Sequence, residues 1–349
     1  MRVVVTGATG NVGTSLLAAF AKDPAVDEIV GLARRRPALA LPKTTWVAAD
    51  VVDADLVPVF RGADCVVHLA WLIQPSRDKQ LLEAVNVEGS ARVFHAVGSA
   101  GVPALVYASS VGAYSAGPKD RRVDESWPTE GVRSAYYARH KAATERLLDR
   151  FELEAPSVRV VRLRPGLIFK REAASGIRRL FAGPLLPNPA VRRALIPVVP
   201  RNERLVFQAV HSLDVAEAYR LAVLGDARGA FNVAAEPVLD PDVLGELLEA
   251  KPLSVRAGVL RSAADLSWRL RLQPTDPSWV DMGLGVPVMD TTRARTELGW
   301  TPRYGADEAL LELLDGMREG ADYPTPPLER RAGGPMRVKE LLTGVGKRV

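Results

Sequence analysis

The sequence predicts a doubly wound α/β fold, a parallel sheet joined to a smaller C-terminal domain, and three observations predict it. Val3-Val4-Val5 is a β-branched run that suits a strand buried on both faces, and Gly7, Gly10 and Gly13 follow directly. Thr14 to Lys22 is then amphipathic, which completes a strand, glycine turn and helix in that order. Finally, 349 residues with 47% hydrophobic and 25% charged side chains can bury a large core.

Composition removes several classes of function. The single cysteine, Cys65, rules out an intramolecular disulfide or a cysteine zinc cluster, and its apolar neighbours Val66 and Val67 mark a buried, inert thiol. His68, His95, His140 and His211 lack metal-ligand spacing, so no metal is expected. No apolar run approaches the ~18 residues of a membrane span, and a soluble, cytoplasmic protein is expected. Most of the net charge of +5 comes from Arg330, Arg331, Arg337, Lys339, Lys347 and Arg348, so a solvated tail accounts for it without nucleic acid.

Along the chain, strands are expected at Glu28–Ala33, Thr44–Ala49, Asp64–Ala70, Ala104–Ala108 and Val158–Leu163, with a long helix from Leu81 to Ala100. The second strand ends at Ala33 and runs into Arg34-Arg35-Arg36. Ser109 and Ser110 follow the fifth strand, at the sheet edge where ligands of open parallel sheets bind. A helix starting near Ser134 carries Tyr137 and Lys141 four residues apart on one face, and Tyr136 points about 100° away into packing.

With the spacing G-x-x-G-x-x-G from Gly7 to Gly13, the Ser109-Ser110 pair and the later Tyr137-x-x-x-Lys141, the chain resembles the extended short-chain dehydrogenase/reductase superfamily, of the NAD-dependent epimerase/dehydratase type. The likeness covers roughly residues 1 to 320. It implies a Rossmann sheet in 1–169, to which 204–235 return, and a substrate-binding domain from 170–203 and 236–320. Residues 321–349 are expected to be a mobile basic tail. A nicotinamide dinucleotide is implied, touching Gly7, Thr9, Gly10, Asn11, Val12, Gly13, Asp50, Val51, Leu69, Ala70, Tyr137, Lys141 and Pro165. An acidic residue at the end of the second strand suits NAD, whereas Ala33 stands there and arginines follow. NADP is therefore preferred over NAD, with Arg34 and Arg35 as phosphate ligands. Within the family, Tyr137 would exchange a proton with an alcohol or carbonyl, Lys141 would hold the nicotinamide ribose and Ser110 would orient the substrate oxygen. Asn86 matches a position where the family carries a structural or catalytic asparagine. A homodimer is a family expectation.

A phenol with pKa about 10 is a poor base at neutrality. A lysine ammonium about 4 Å away would favour phenolate by roughly 4 kcal/mol at an effective dielectric near 20, about three pKa units before desolvation is counted. Three readings share these residues: a reductase acting on a small molecule, a nucleotide-sugar epimerase or dehydratase that keeps its NAD, and a non-catalytic redox sensor. Many sugar-nucleotide members place an arginine four residues before the histidine of H-x-x-D. Here Phe207 stands four before His211 and Arg204 is out of register, while Arg178, Arg179, Arg192 and Arg193 remain as other phosphate ligands. Trp71-Leu72-Ile73 near the site further favours a less charged substrate. His211 is read as a structural turn residue.

Overall fold

The structure, a computed structural model, describes residues 1–73, 77–181, 197–273 and 275–329. Arg192, Arg193 and the basic tail from Arg330 onward lie outside these residues, as does the Arg179 side chain.

Seven parallel strands build the central sheet: β1 (Arg2–Thr6), β2 (Glu28–Ala33), β3 (Thr44–Ala48), β4 (Cys65–His68), β5 (Ala104–Ala108), β6 (Arg159–Pro165) and, at one edge, β9 (Gly229–Val233). Between the last two come β7 (Leu167–Phe169) and β8 (Ala209–His211), which pair with each other. The sheet order is β9-β6-β5-β4-β1-β2-β3. The chain winds outward one way from β1 and the other way from β4, so the crevice beyond their carboxyl ends is the topological switch point where such sheets bind ligands.

The valine run of β1 works as its composition requires. Val3 and Val5 pack with Leu16, Leu17 and Phe20 of α1 (Asn11–Lys22), and Val4 faces Val93, Phe94 and Val97 of α2 (Gly89–Ser99) in a second cluster. Two further helices complete the layers. Leu148 and Phe151 of α3 (Tyr136–Glu154) join the cluster of Val4, and Val215, Ala218 and Tyr219 of α4 (Ser212–Leu224) join that of Val3. With all three valines 0% exposed, helices must cover both faces, which is the doubly wound arrangement.

A third apolar cluster gathers Phe169, Leu239, Leu244 and Leu248 against Leu313 and Met317 of α6 (Ala306–Glu319), and a fourth is described below with α5 (Ser278–Gly285). No helix of the described residues is long and apolar enough to cross a membrane.

Two expectations are corrected. The long helix from Leu81 is interrupted: Lys79–Glu83 is α-helical, Ala84–Glu88 is π-helical and α2 resumes at Gly89. The interruption coincides with Asn86, whose amide bonds the backbone of another segment, and such π-bulges are frequent at functional sites. Ala321 to Glu329 is not a free tail. Thr325 is 0% exposed with its hydroxyl donating to the Thr9 carbonyl at 2.8 Å, and Leu328 is buried. The Pro-rich composition hid this because its partner lies more than three hundred residues earlier.

Candidate active site

The first loop is built around its glycines for different reasons. Gly7 has φ +69, and a Cβ there would come within 2.7 Å of the Ala70 amide nitrogen. A Cβ on Gly13 would lie 2.6 Å from the Gly7 and Ala8 carbonyl oxygens. These two glycines are thus dictated by close packing of the chain on itself. Gly10 differs: it caps α1 with no side-chain hydrogen bond. The first N–H groups of the helix, on Asn11, Val12 and Gly13, have no intrahelical acceptor and make the N-terminus a ready anion site. That open cap at the switch point fits a dinucleotide pyrophosphate.

Asn11 and Thr9 are partly engaged elsewhere. The Asn11 Nδ2 donates to the Ile168 carbonyl at 3.1 Å, and its Oδ1 is buried without a partner. Beneath the loop, the buried Lys170 donates to the Asn11 carbonyl, Thr14 Oγ1 and Ser15 Oγ at 3.0, 2.7 and 3.0 Å. Burial pushes this ammonium down to about 8, opposed by the charges of Glu172 and Glu312.

β2 ends at Ala33 as the sequence indicates, and Arg34 and Arg35 stand exposed immediately beyond it. Past β3, Asp50 turns its carboxylate onto the Val52 amide, and Val51 packs against Gly89 at the start of α2. Leu69 and Ala70, after β4, close over Gly7, and the Ala70 amide donates to Thr6 Oγ1 at 3.3 Å. His68 is held between Thr6 Oγ1 and Ser90 Oγ, and burial lowers its pKa to about 3, so it stays neutral. Pro165 is buried at the end of β6.

On the other side of the crevice, α3 brings Tyr137 and Lys141 to the carboxyl end of β5. Lys141 is 2% exposed and its Nζ donates to the Ala108 carbonyl at 2.6 Å. The same Nζ lies 3.5 Å from the centre of the Trp71 ring and 5.9 Å from that of Tyr137. Ser110 caps a short turn by accepting from the Gly112 amide, and its hydroxyl is placed to favour the Tyr137 phenolate against the effect of burial. Gly112 leaves room for that phenol ring, since a Cβ would sit 2.9 Å from Tyr137 Cε1.

The acid-base expectation is corrected in the protein as it stands. Burial pushes the Tyr137 phenol up to about 12, opposed by the Ser110 hydrogen bond, and burial pulls the Lys141 ammonium well below its usual range, opposed by Glu145. Spacing alone leaves out desolvation and aims the ammonium at the phenol. In the structure it is turned onto a carbonyl and an indole.

Asn86 is buried, and its amide clamps both backbone groups of Leu72: Oδ1 accepts from the amide at 2.7 Å and Nδ2 donates to the carbonyl at 3.1 Å. It therefore holds the Trp71-Leu72 segment in place. Tyr136 packs in the fourth cluster, its Oη accepting from Trp279 Nε1 at 3.3 Å. His211 caps α4 by accepting the Leu213 amide, as the turn reading expects. Cys65 is fully buried, which pushes its thiol up to about 12.

One functional group escaped the sequence reading. Glu145 lies one turn beyond Lys141 and is 0% exposed. Its Oε1 accepts from Ser109 Oγ at 2.5 Å and Arg164 Nε at 2.9 Å, and its Oε2 accepts from Arg162 and Arg164 at 2.9 Å each. Extending the four-residue spacing of Tyr137 and Lys141 by one step would have found it. Trp279 and Met282, which reach Tyr137 from α5, carried no signal.

The model of the NAD dependent epimerase/dehydratase family matches residues 3–234. Uncharacterized proteins of Mycobacterium bovis and Mycobacterium tuberculosis are 28% identical over 321 residues, covering 91% of this chain but only 30% of their own length. A 3-beta-hydroxysteroid dehydrogenase of Mycolicibacterium neoaurum is 25% identical over 342 residues, 90% of each chain. Among solved structures, the UDP-glucose 4-epimerase of Thermus thermophilus in complex with NAD is similar with TM-score 0.66 and 24% identity, covering 91% of this chain and 99% of that one. The UDP-glucuronic acid 4-epimerase of Bacillus cereus in complex with NAD gives 0.67 and 16%, over 92% and 100%. These likenesses show the doubly wound Rossmann fold.

Proposed function

From the premise that the chain belongs to the NAD dependent epimerase/dehydratase family, we propose that it is an oxidoreductase moving a hydride between a nicotinamide dinucleotide and a carbonyl or alcohol carbon of a small molecule. The observation that carries the reading is the convergence of Tyr137, Lys141 and Ser110 at the end of β5, across the crevice from the open cap of α1. When bound, the cofactor supplies the hydride chemistry. Tyr137 gives or takes the proton of the substrate oxygen, Ser110 orients that oxygen, and Lys141 holds the nicotinamide ribose. Asn86 is a positioning residue, acting through Leu72. Residues 170–203 and 236–320 serve as the substrate-binding part in this reading.

NADP is preferred, because no carboxylate ends β2 to take the ribose hydroxyls and Arg34 and Arg35 follow it. A second reading, a nucleotide-sugar epimerase or dehydratase, is favoured by what the solved relatives bind. Against it, Phe207 packs into the third apolar cluster and pairs with Leu239 through its backbone. Arg204 is engaged with the Leu284 and Gly117 carbonyls at 2.8 and 3.0 Å. The dehydrogenase relative points the same way as these departures. Absorbance at 340 nm decides between the two. Stoichiometric oxidation of NADPH with a ketone supports reduction, and turnover of UDP-glucose with no net change in cofactor refutes it.

A further inference from the structure

Resting on the reading that a dinucleotide lies at the open cap of α1, we infer that Lys170 is a positioning residue for that cofactor: its ammonium, sealed behind the first turn of α1, polarises the two peptide groups whose N–H donors meet the diphosphate.

All three ammonium hydrogens go to that turn. One reaches the Asn11 carbonyl at 3.0 Å, and the other end of that peptide group is the Val12 N–H. A second reaches Thr14 Oγ1 at 2.7 Å, which leaves the hydroxyl's own hydrogen for the Gly10 carbonyl at 3.0 Å. The peptide group of Gly10 ends in the Asn11 N–H. The third hydrogen goes to Ser15 Oγ at 3.0 Å, which is paired with Ser212 Oγ of α4 at 2.9 Å. A cation on a carbonyl draws electron density out of the amide and makes its N–H a stronger donor, and bonds in a chain reinforce one another. The Asn11 and Val12 groups are two of the free donors at the helix N-terminus, so Lys170 acts on the anion site from behind.

A pin that only held the turn would not need a charge. Lys170 is 5% exposed, and its three acceptors are all neutral. Among the described residues, the charged groups facing it are Glu172 from its own turn and Glu312 from α6, and neither forms an ion pair with it. Glu312 accepts the Arg171 amide at 3.1 Å and stands 3.2 Å from His211 Nε2. The C-terminal segment closes the remaining side, with the Tyr323 ring centre 5.6 Å from Nζ and the Thr325 hydroxyl on the Thr9 carbonyl. A buried cation without a bonded carboxylate is costly to keep charged, which is why burial pulls this ammonium down to about 8. A diphosphate at the cap offsets that cost. Cofactor and proton therefore bind together, and affinity falls as pH rises past that value.

Fluorescence titration with NADPH and with NADH, which share the diphosphate, tests this at pH 7 and pH 9.5. Both should bind the parent at least about fivefold more weakly at the higher pH, and calorimetry at pH 8.5 in buffers of differing ionisation heat should show net proton uptake. Lys170→Met keeps the length of the side chain without its charge. At pH 7 it should weaken both cofactors at least about fivefold, with the gap closing at pH 9.5 and the proton uptake gone. Unchanged affinity at pH 7 in the methionine protein, or an equal loss at both pH values, overturns the inference. So does a parent whose affinity is flat with pH, a measurement that needs no variant to fold. If neither cofactor binds the parent at pH 7, the functional reading falls and takes this inference with it; if both bind and the charge has no effect, only the inference falls.

Discussion

Replacing Glu145 by glutamine tests how the site is held together. The carboxylate is 0% exposed and accepts from two of the three Arg164 nitrogens, from one of Arg162 and from the Ser109 hydroxyl. Burial alone would raise its pKa; the hydrogen bonds and charges of Arg164, the charge of Arg162 and the Ser109 bond overcome this and hold it at about 2. Set against a reference of 4.5, that depression corresponds to about 3 kcal/mol. The sign follows from the direction: the carboxylate stabilises the fold above pH 4.5, and the contribution is lost as pH falls through about 2. Removing one partner of a buried pair costs on the order of 3–5 kcal/mol. The low end applies here because Arg164 keeps Tyr114 Oη and the Glu125 carbonyl, and Arg162 keeps Asp149 and Glu152. Urea denaturation at pH 7 should therefore show the glutamine protein less stable by about 3 kcal/mol, with the gap narrowing as both are titrated toward pH 3. A difference under about 1 kcal/mol at neutrality, or a gap that does not close in acid, refutes the reasoning. Because Glu145 also supports the charge of Lys141 and ties down Ser109 beside Ser110, turnover should fall along with stability.

Other expectations are narrower. Gly13→Ala puts a methyl 2.6 Å from two backbone oxygens that cannot move aside, so it should cost at least about 1–3 kcal/mol by denaturation; Gly62→Ala, with open space around it, meets only the strain of positive φ. Arg34→Ser combined with Arg35→Ser should weaken NADPH at least tenfold by fluorescence titration while NADH changes little, and equal losses for both cofactors would remove the NADP preference. In the cofactor-free protein the Tyr137 phenol, raised to about 12 by burial, should add nothing to the difference absorbance at 295 nm below pH 11 when compared with Tyr137→Phe. A step near pH 8 present only in the parent would contradict the desolvation argument.

The architecture is readable because it rests on local patterns. A valine triplet flanked by glycines and helices has few ways to be buried, and the strand ends at Ala33 and Ala108 fall where composition changes. Tyr137 and Lys141 are legible because one helix carries both. What escapes the sequence is long-range or energetic. Trp279 reaches Tyr137 from more than a hundred residues away, and Thr325 reaches Thr9 from farther still. The direction of the Tyr137 pKa depends on how deeply the ring is buried and where the Lys141 ammonium turns, neither of which spacing encodes. The strand Lys251–Ser254 and the helix Ala257–Arg269 carry no buried residue, so no clean periodicity announces them.

Single-turnover reduction by Tyr137→Phe, measured beside NADPH affinity on the same preparation, bears most directly on the proton-donating role proposed for this phenol. A drop of at least about 100-fold in rate, with the NADPH dissociation constant within about twofold of the parent, is the predicted result. An undiminished rate in a protein that still binds NADPH would contradict it.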